Sequence, residues 1–251
     1  MVHDGSSAEE TIYRRATSCV MIDPILHILA DRSVFQGLSE RELQDVREAA
    51  TMRRYAAGEL MVRQGDPALA FHMLICGHAK LVQVTPDGHQ VLIRYARPGH
   101  SFGLRSALSG FEYSLSAEAI DDSRALVWYG EVLAQLMERY SRIAFNGMRM
   151  MTLRNVEMQL RYQELLTEPV EQRVAQALLR LSNDMGQKTK EGILIDVPLS
   201  REDLAEYSGT TLYSVSRILR QWENAGVVRT GRERVLVRSQ DSLLDIAAAT
   251  I

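Results

Sequence analysis

Across residues 52–128 the apolar positions come in short runs broken by turn signals: ELMVRQGDPA, FHMLICGHAKLVQVTPDGHQVLIRYARPGHSFG and SLSAEAIDDSRALVWY. Short runs rich in β-branched and aromatic residues predict strands. Asp87-Gly88, between LVQV and VLIRY, predicts a tight hairpin. Regular glycine turns with strands between them predict a small antiparallel barrel or jelly roll. Ahead of it, Asp23 to Ala30 reads as a short helix. A second helix starts at Ser39, with Glu42 placed for a capping box and Leu43 and Val46 on its apolar side.

From Glu131 to Leu166 the periodicity turns helical. Met148, Met151, Asn155, Met158, Tyr162 and Leu165 recur at alternating intervals of three and four, a heptad seam at a and d positions. Leu153, Val156 and Leu160 form a second stripe. The expectation is that one stripe covers the chain's own barrel while the other meets a second copy, with Asn155 facing its own copy across a two-fold axis. The alternative is a helix buried inside one subunit. Pro169 ends that helix. VEQRVAQALLRLSNDMG then predicts a new helix ending at Gly186, and GILIDVPLS a strand.

Leu199 to Val228 carries the most specific pattern. Ser200 is a good N-cap, and Asp203 three residues on closes a capping box. The helix predicted over Arg201 to Tyr207 has a small residue, Ala205, where two helices cross. Gly209 four residues later supplies a positive φ for a tight turn. Thr210 or Thr211 caps the next helix, expected over Thr211 to Gln221, whose inward stripe is Val215 and Ile218, with Trp222 in the core packing the helix on the wing. After Gly226, VVRTGRERVLVR reads as a two-stranded wing turning near Gly231, and SLLDIAAATI as a closing helix. The fold class is therefore α+β: an antiparallel barrel or jelly roll, a long dimerisation helix and a winged helix-turn-helix.

Composition changes this picture little. At 251 residues, 46% hydrophobic and 24% charged, the chain is an ordinary globular sequence. It has no apolar run near the ~20 residues of a membrane span, and MVHDGSSAEETIYRR has no signal-peptide core. Two cysteines, Cys19 and Cys76, make no disulfide framework, which fits a reducing cytoplasm. Net charge is −3. Between Tyr207 and Arg238, however, six arginines face only Glu223 and Glu233. A basic patch on an acidic protein is a local footprint for phosphate.

This order of parts, over residues 25–240 and most specifically Leu199 to Arg238, resembles the Crp/Fnr family of bacterial transcription regulators. Within the family, GTTLYSVSRILRQWENAGVVRTGRERVLVR is most similar to the nitrogen-oxide-responsive regulators of denitrification. The resemblance implies a flexible terminus over 1–22, a cyclic-nucleotide-binding-like sensor over 23–137, a dimerisation helix over 138–166 and a DNA-binding domain over 167–251. It implies a homodimer, more often an activator, that binds two-fold symmetric double-stranded DNA and contacts RNA polymerase. Arg217 matches the base-reading arginine, able to bond guanine O6 and N7 together. Ser216 and Ser214 are further base or phosphate contacts, and Thr210 and Thr211 phosphate contacts at the helix start. Arg220, Arg232 and Arg234 divide between phosphate contact and solvated charge. Many relatives carry a glutamate four residues before the arginine to accept a bond from cytosine. Tyr213 stands there and cannot reproduce it.

The same resemblance places a cyclic-AMP site in PGHSFGLRSALSGFEYSLSAEA. Leu104 and Arg105 stand near its glutamate and Tyr113 near its arginine, so no cyclic-AMP response is expected, and Arg105 alone remains to hold an anion. Four thiolates for an iron–sulfur centre are not found. Haem stays open through His3, His27, His72, His78, His89 and His100, each of which alone reads first as a surface or core residue. His27 stands out slightly, in the apolar run PILHILA. A barrel that senses nothing is also consistent. A cupin-like metal enzyme would need a close His-x-His pair, which is absent. The large non-basic N-terminal half argues against a purely architectural DNA binder.

Overall fold

A computed structural model describes residues 24–31 and 33–249. The terminus at 1–22, with His3 and Cys19, lies outside the described residues. Two helices, α1 (Pro24–Ala30) and α2 (Glu40–Glu48), precede the sheets. Ser39 caps α2 with Glu42 answering from N3, as its sequence predicts. Eight strands follow: β1 (Thr51–Tyr55), β2 (Leu60–Val62), β3 (Ala70–Cys76), β4 (Ala79–Val84), β5 (Gln90–Ala96), β6 (Ser101–Phe102), β7 (Ser116–Ala119) and β8 (Ser123–Tyr129). A short helix, α3 (Leu104–Ser109), lies between β6 and β7. The strands form two antiparallel sheets, ordered β1-β8-β3-β6 and β2-β7-β4-β5. They pack around a shared interior of Tyr55, Leu74, Leu81, Phe102 and Ala117. The β4–β5 hairpin turns at Gly88, φ +87°, with Thr85 and His89 closing the ladder. On the outer face, Phe35, Phe71 and Trp128 cluster, and the Trp128 indole N–H donates to the Val46 carbonyl at 2.8 Å, which ties α2 to the sheet.

The helical signal after β8 resolves into α4 (Gly130–Arg139) and α5 (Ser141–Thr167), broken at Tyr140, where φ −123° and ψ 80° leave the helical region. The expectation that one apolar stripe of α5 covers the sensor is not met. Met148, Met151, Met158, Tyr162 and Leu165 are exposed, and so are Leu153, Val156 and Leu160. The inner face is instead Ile143, Gly147, Met150, Arg154 and Arg161. The physical reason is local. Gly147 admits Leu104 closely, while backbone carbonyls of Ser101, Ile93 and Tyr207 accept from the two arginines.

The remainder is α6 (Val170–Met185), β9 (Gly186–Thr189), β10 (Gly192–Ile195), α7 (Arg201–Ser208), α8 (Leu212–Asn224), β11 (Val228–Gly231), β12 (Arg234–Val237) and α9 (Gln240–Ala248). Its sheet runs β11-β12-β10-β9. The strand read in GILIDVPLS is β10. Its partner β9 starts at Gly186 directly after α6; the sequence pattern does not announce it, because GQKT has no apolar face and is exposed. One continuous core runs through this domain and takes in Val82, Leu92 and Tyr95 of the sensor sheet.

Candidate nucleic-acid interface and sensor cavity

The helix-turn-helix is fixed by chemistry at every corner. Ser200 Oγ accepts from the Asp203 N–H at 2.9 Å, and an Asp203 carboxylate oxygen accepts from the Ser200 N–H at 3.2 Å. Gly209 takes φ +64°, a conformation costly for any side chain with a Cβ. The Thr210 N–H then donates to the Ala205 carbonyl, closing the helix end. Thr211, not Thr210, is the N-cap of α8: its hydroxyl accepts from the Ser214 N–H at 3.2 Å. Val215, Ile218, Leu219 and Trp222 are buried. Trp222 is 3% exposed in one core with Val228 and Val235 of the wing, and its indole N–H donates to Glu171 on α6.

Opposite that buried side, Tyr213, Arg217 and Arg220 fall at i, i+4 and i+7 on one outward face. Tyr213 is 78% exposed. Ser214 and Ser216 are half-buried at its margin. The fold thus brings Tyr213, Ser214, Ser216, Arg217 and Arg220 onto one helix with Thr211 at its N-cap, while Thr210 sits half-buried in the preceding turn. The wing turns through Arg232-Glu233, with Glu233 at φ +54°, and leaves Arg232 and Arg234 exposed. Glu223 braces the wing by accepting from the Thr230 N–H and hydroxyl. Arg229 is paired with Glu191, so it belongs less to the basic patch than its place in the sequence suggested.

Helix α7 also docks on the sensor, which the sequence did not disclose. Glu206 accepts from the Leu92 N–H at 3.1 Å on edge strand β5. Tyr95 donates to the Pro198 carbonyl at 3.0 Å, Lys80 pairs with Asp203, and the Arg161 guanidinium stacks on Tyr207, 4.2 Å from its centroid. Burial, and then the Asp203 and Glu206 charges, hold the Tyr95 hydroxyl far above its ordinary pKa, so it stays a donor.

Beside this contact lies a half-open cavity of about 730 Å³, walled by sensor strands, α3, α5 and the end of α7. All three residues expected at an effector site line it, but two serve the fold. Leu104 is buried in the outer core. The Tyr113 hydroxyl donates to the Ala70 carbonyl at 2.9 Å and accepts from the Ala70 N–H. Arg105 is exposed at the rim. The cavity's inner cations come from elsewhere. Arg94 on β5 and Arg154 on α5 each donate to the same Ser101 carbonyl, at 2.6 and 2.8 Å. Burial, with Arg154 adding like charge, brings Arg94 down to about 9; burial also holds Arg154 below the usual arginine value. Sequence patterning missed both, because arginine on an amphipathic strand or helix reads as solvent-facing.

The described histidines are dispersed. His27 is exposed, His78 bonds Asp121, and His89 stands by Asp87. His72 is buried and stacked on Phe102, and His100 keeps Nδ1 buried without a partner. Cys76 is half-exposed at the end of β3. Among the described residues no three His, Cys, Asp or Glu converge to hold a metal, and no helix is long and apolar enough to cross a membrane.

Comparison with known proteins covers both halves. Residues 52–140 match the cyclic nucleotide-binding domain and residues 172–246 the Crp-like helix-turn-helix domain. The chain is 30% identical over 214 residues to the cyclic AMP receptor protein of Thermus thermophilus, covering 85% of this chain and 96% of that one. It is 26% identical over 245 residues to the transcriptional activator protein FnrL of Cereibacter sphaeroides, with 94% and 93% covered. The structure of FixK2 from Bradyrhizobium japonicum matches with a TM-score of 0.67 and 25% identity, over 80% of this chain and 99% of that one. The chain belongs to the Crp/Fnr family of DNA-binding transcription regulators.

Proposed function

We propose that the protein works as a homodimer that reads a two-fold symmetric DNA site through α8 and activates transcription by contacting RNA polymerase. The outward row of Tyr213, Arg217 and Arg220 carries this reading. It stands on a helix capped at its start and anchored by a buried tryptophan, so three long side chains are presented with little freedom left in the backbone. Arg217 would read guanine, Tyr213 would alter or relax the neighbouring position, and Ser214, Ser216 and Arg220 would flank them. Exposed seam residues Met148, Met151, Asn155, Met158, Tyr162 and Leu165 support pairing of α5 with a second copy, since an exposed apolar stripe of this length marks an interface. Two recognition helices then meet half-sites about one helical turn apart. Activation is supported by the relative named a transcriptional activator.

The sensor is read as gating this activity without cyclic AMP, because Leu104 and Tyr113 are committed to packing and to Ala70. Selection of binding sites from a randomised duplex pool tests the core reading. A two-fold consensus whose enrichment depends on Arg217 is expected, and an unenriched pool refutes it. Anisotropy titrations of that site with cyclic AMP, and separately with haem and nitric oxide, test the signal. Cyclic AMP should leave affinity unchanged, and the second arm decides the nitrogen-oxide branch.

A further inference from the structure

We propose that the cavity between β5, α3 and α5 binds an apolar molecule with one acidic head, a carboxylate or a phosphate monoester, held by Arg94 and Arg154. The proposal rests on the reading of the sensor as a gate and supplies its ligand class. Each guanidinium carries five N–H donors. Among the described residues each guanidinium uses one donor, and both go to the single Ser101 carbonyl. Neither arginine has a carboxylate within ion-pair distance among the described residues; Glu157 acts on both, and Asp184 on Arg94, through the field alone. Two half-buried cations sharing one neutral acceptor leave many donors and most of their charge unanswered, an arrangement that is costly unless an anion completes it. An acidic head with two or more oxygens answers both forks at once.

The rest of the cavity asks for an apolar body. Val62, Leu81, Phe102 and Met150 line it beside the arginines. At about 730 Å³ it has room for a molecule of some ten carbons or a substituted ring. At the turn where a cyclic nucleotide's phosphate is expected the cation is Arg105, exposed at the rim; the head would sit deeper, between a strand and the long helix, where Arg94 and Arg154 meet at the Ser101 carbonyl. The same cavity is walled by Tyr207 and Gly209 at the end of α7, so its occupant would touch the helix-turn-helix itself.

Calorimetric titration of the full-length protein with decanoate, decyl phosphate, 1-decanol and decylammonium tests this. Decanoate or decyl phosphate should bind at least about 10-fold more tightly than decanol, matching the 1.5–3 kcal/mol of a hydrogen bond to a charged group; decylammonium should not bind. Which of the two acids binds more tightly separates a fatty-acid-like from a phosphorylated source. Arg94→Met and Arg154→Met should each remove that advantage and leave decanol binding unchanged. Their unliganded melting temperatures should not fall, because each replaces an unanswered charge by an apolar chain of similar length. Wild-type selectivity is measured whether or not the variants fold. Decanol binding as tightly as both acids, or no binding by any probe, overturns the proposal. Acid binding that depends on both arginines but leaves DNA affinity unmoved upholds the site and refutes the gating reading instead.

Discussion

Helices α5 and α8 invert each other's surface. On α8 Val215, Ile218, Leu219 and Trp222 point inward and Tyr213, Arg217 and Arg220 point out. On α5 Met148, Met151, Met158, Tyr162 and Leu165, with Leu153, Val156 and Leu160, are exposed, while Met150, Arg154 and Arg161 turn inward, the arginines onto backbone carbonyls. A helix such as α8 is completed by its own chain, and what it shows to solvent is available for recognition. A helix such as α5 leaves its hydrophobic area unspent, so a second body is required to bury it.

The sharpest way to break this contrast is to charge the exposed seam. Met151→Glu with Met158→Glu should leave the fold intact, because Met158 is 65% exposed in the single chain, yet should dissociate the dimer. Sedimentation should then report a monomer. Affinity for a two-fold site should fall at least about 100-fold, since simultaneous engagement of two half-sites is lost. A charged variant that remains dimeric would place the interface on the other stripe, Leu153, Val156 and Leu160.

On α8 the expected effect is next in size. Arg217→Ala should cost about 1–3 kcal/mol of base discrimination, roughly 10- to 100-fold in competition between the selected site and one changed at its guanine. Far-UV dichroism and melting should hardly change, as the side chain is exposed. Tyr213→Glu, one turn before it, should gain preference for cytosine at the neighbouring position. Uniform weakening of all sequences by Arg217→Ala would reduce this residue to a phosphate contact.

The same contrast explains what the chain disclosed before its structure. The elements of the recognition half were legible because their signals are local: Ser200 with Asp203, Gly209, the cap before α8 and the 215–218 stripe each act over a single turn. Strand β9, which has no apolar face, carries no such local signal. For α5 the heptad period was legible but its orientation was not, because an arginine buried against carbonyls three strands away leaves no mark in its own neighbourhood. The docking of Glu206 on Leu92 and the shared Ser101 carbonyl are likewise contacts across 114 and 53 residues of sequence. Leu104, Arg105 and Tyr113 line the cavity, but the sequence does not show that the Tyr113 hydroxyl is already bonded to Ala70.

A smaller effect separates the two halves by pH. Burial, with Arg53 nearby, brings His72 down to about 4; burial and then Arg94, Arg97 and Arg154 bring His100 to about 3. An unfolded histidine titrates near 6.5. Between that value and 4 the unfolded chain takes up protons that the folded sensor refuses, so sensor stability falls as pH drops. The slope approaches about 1.4 kcal/mol per pH unit for each histidine. The DNA-binding half has no histidine and lacks this response. The two tryptophans, Trp128 and Trp222, report the halves separately. In a Trp222→Phe background, urea midpoints followed by Trp128 should fall between pH 6.5 and 4, and His72→Leu should remove about half of that fall. Equal falls with and without His72 would assign the acid response to other groups.

The smallest effect tests which arginines of the basic patch meet DNA. Arg234 is exposed on the wing, whereas Arg229, three residues before the turn, is already held by Glu191. A cation that neutralises a phosphate releases about one counterion, so its removal lowers the salt slope of log affinity by about one without changing sequence preference. Arg234→Ala should therefore weaken specific and random DNA alike, by a few-fold near physiological salt, and flatten that slope by about one. Arg229→Ala should change the slope less, because its charge is largely answered within the protein before DNA arrives. Measured over a range of salt on one duplex, equal slopes for the two variants would mean that Glu191 releases Arg229 on binding, and that the patch is wider than the free protein displays.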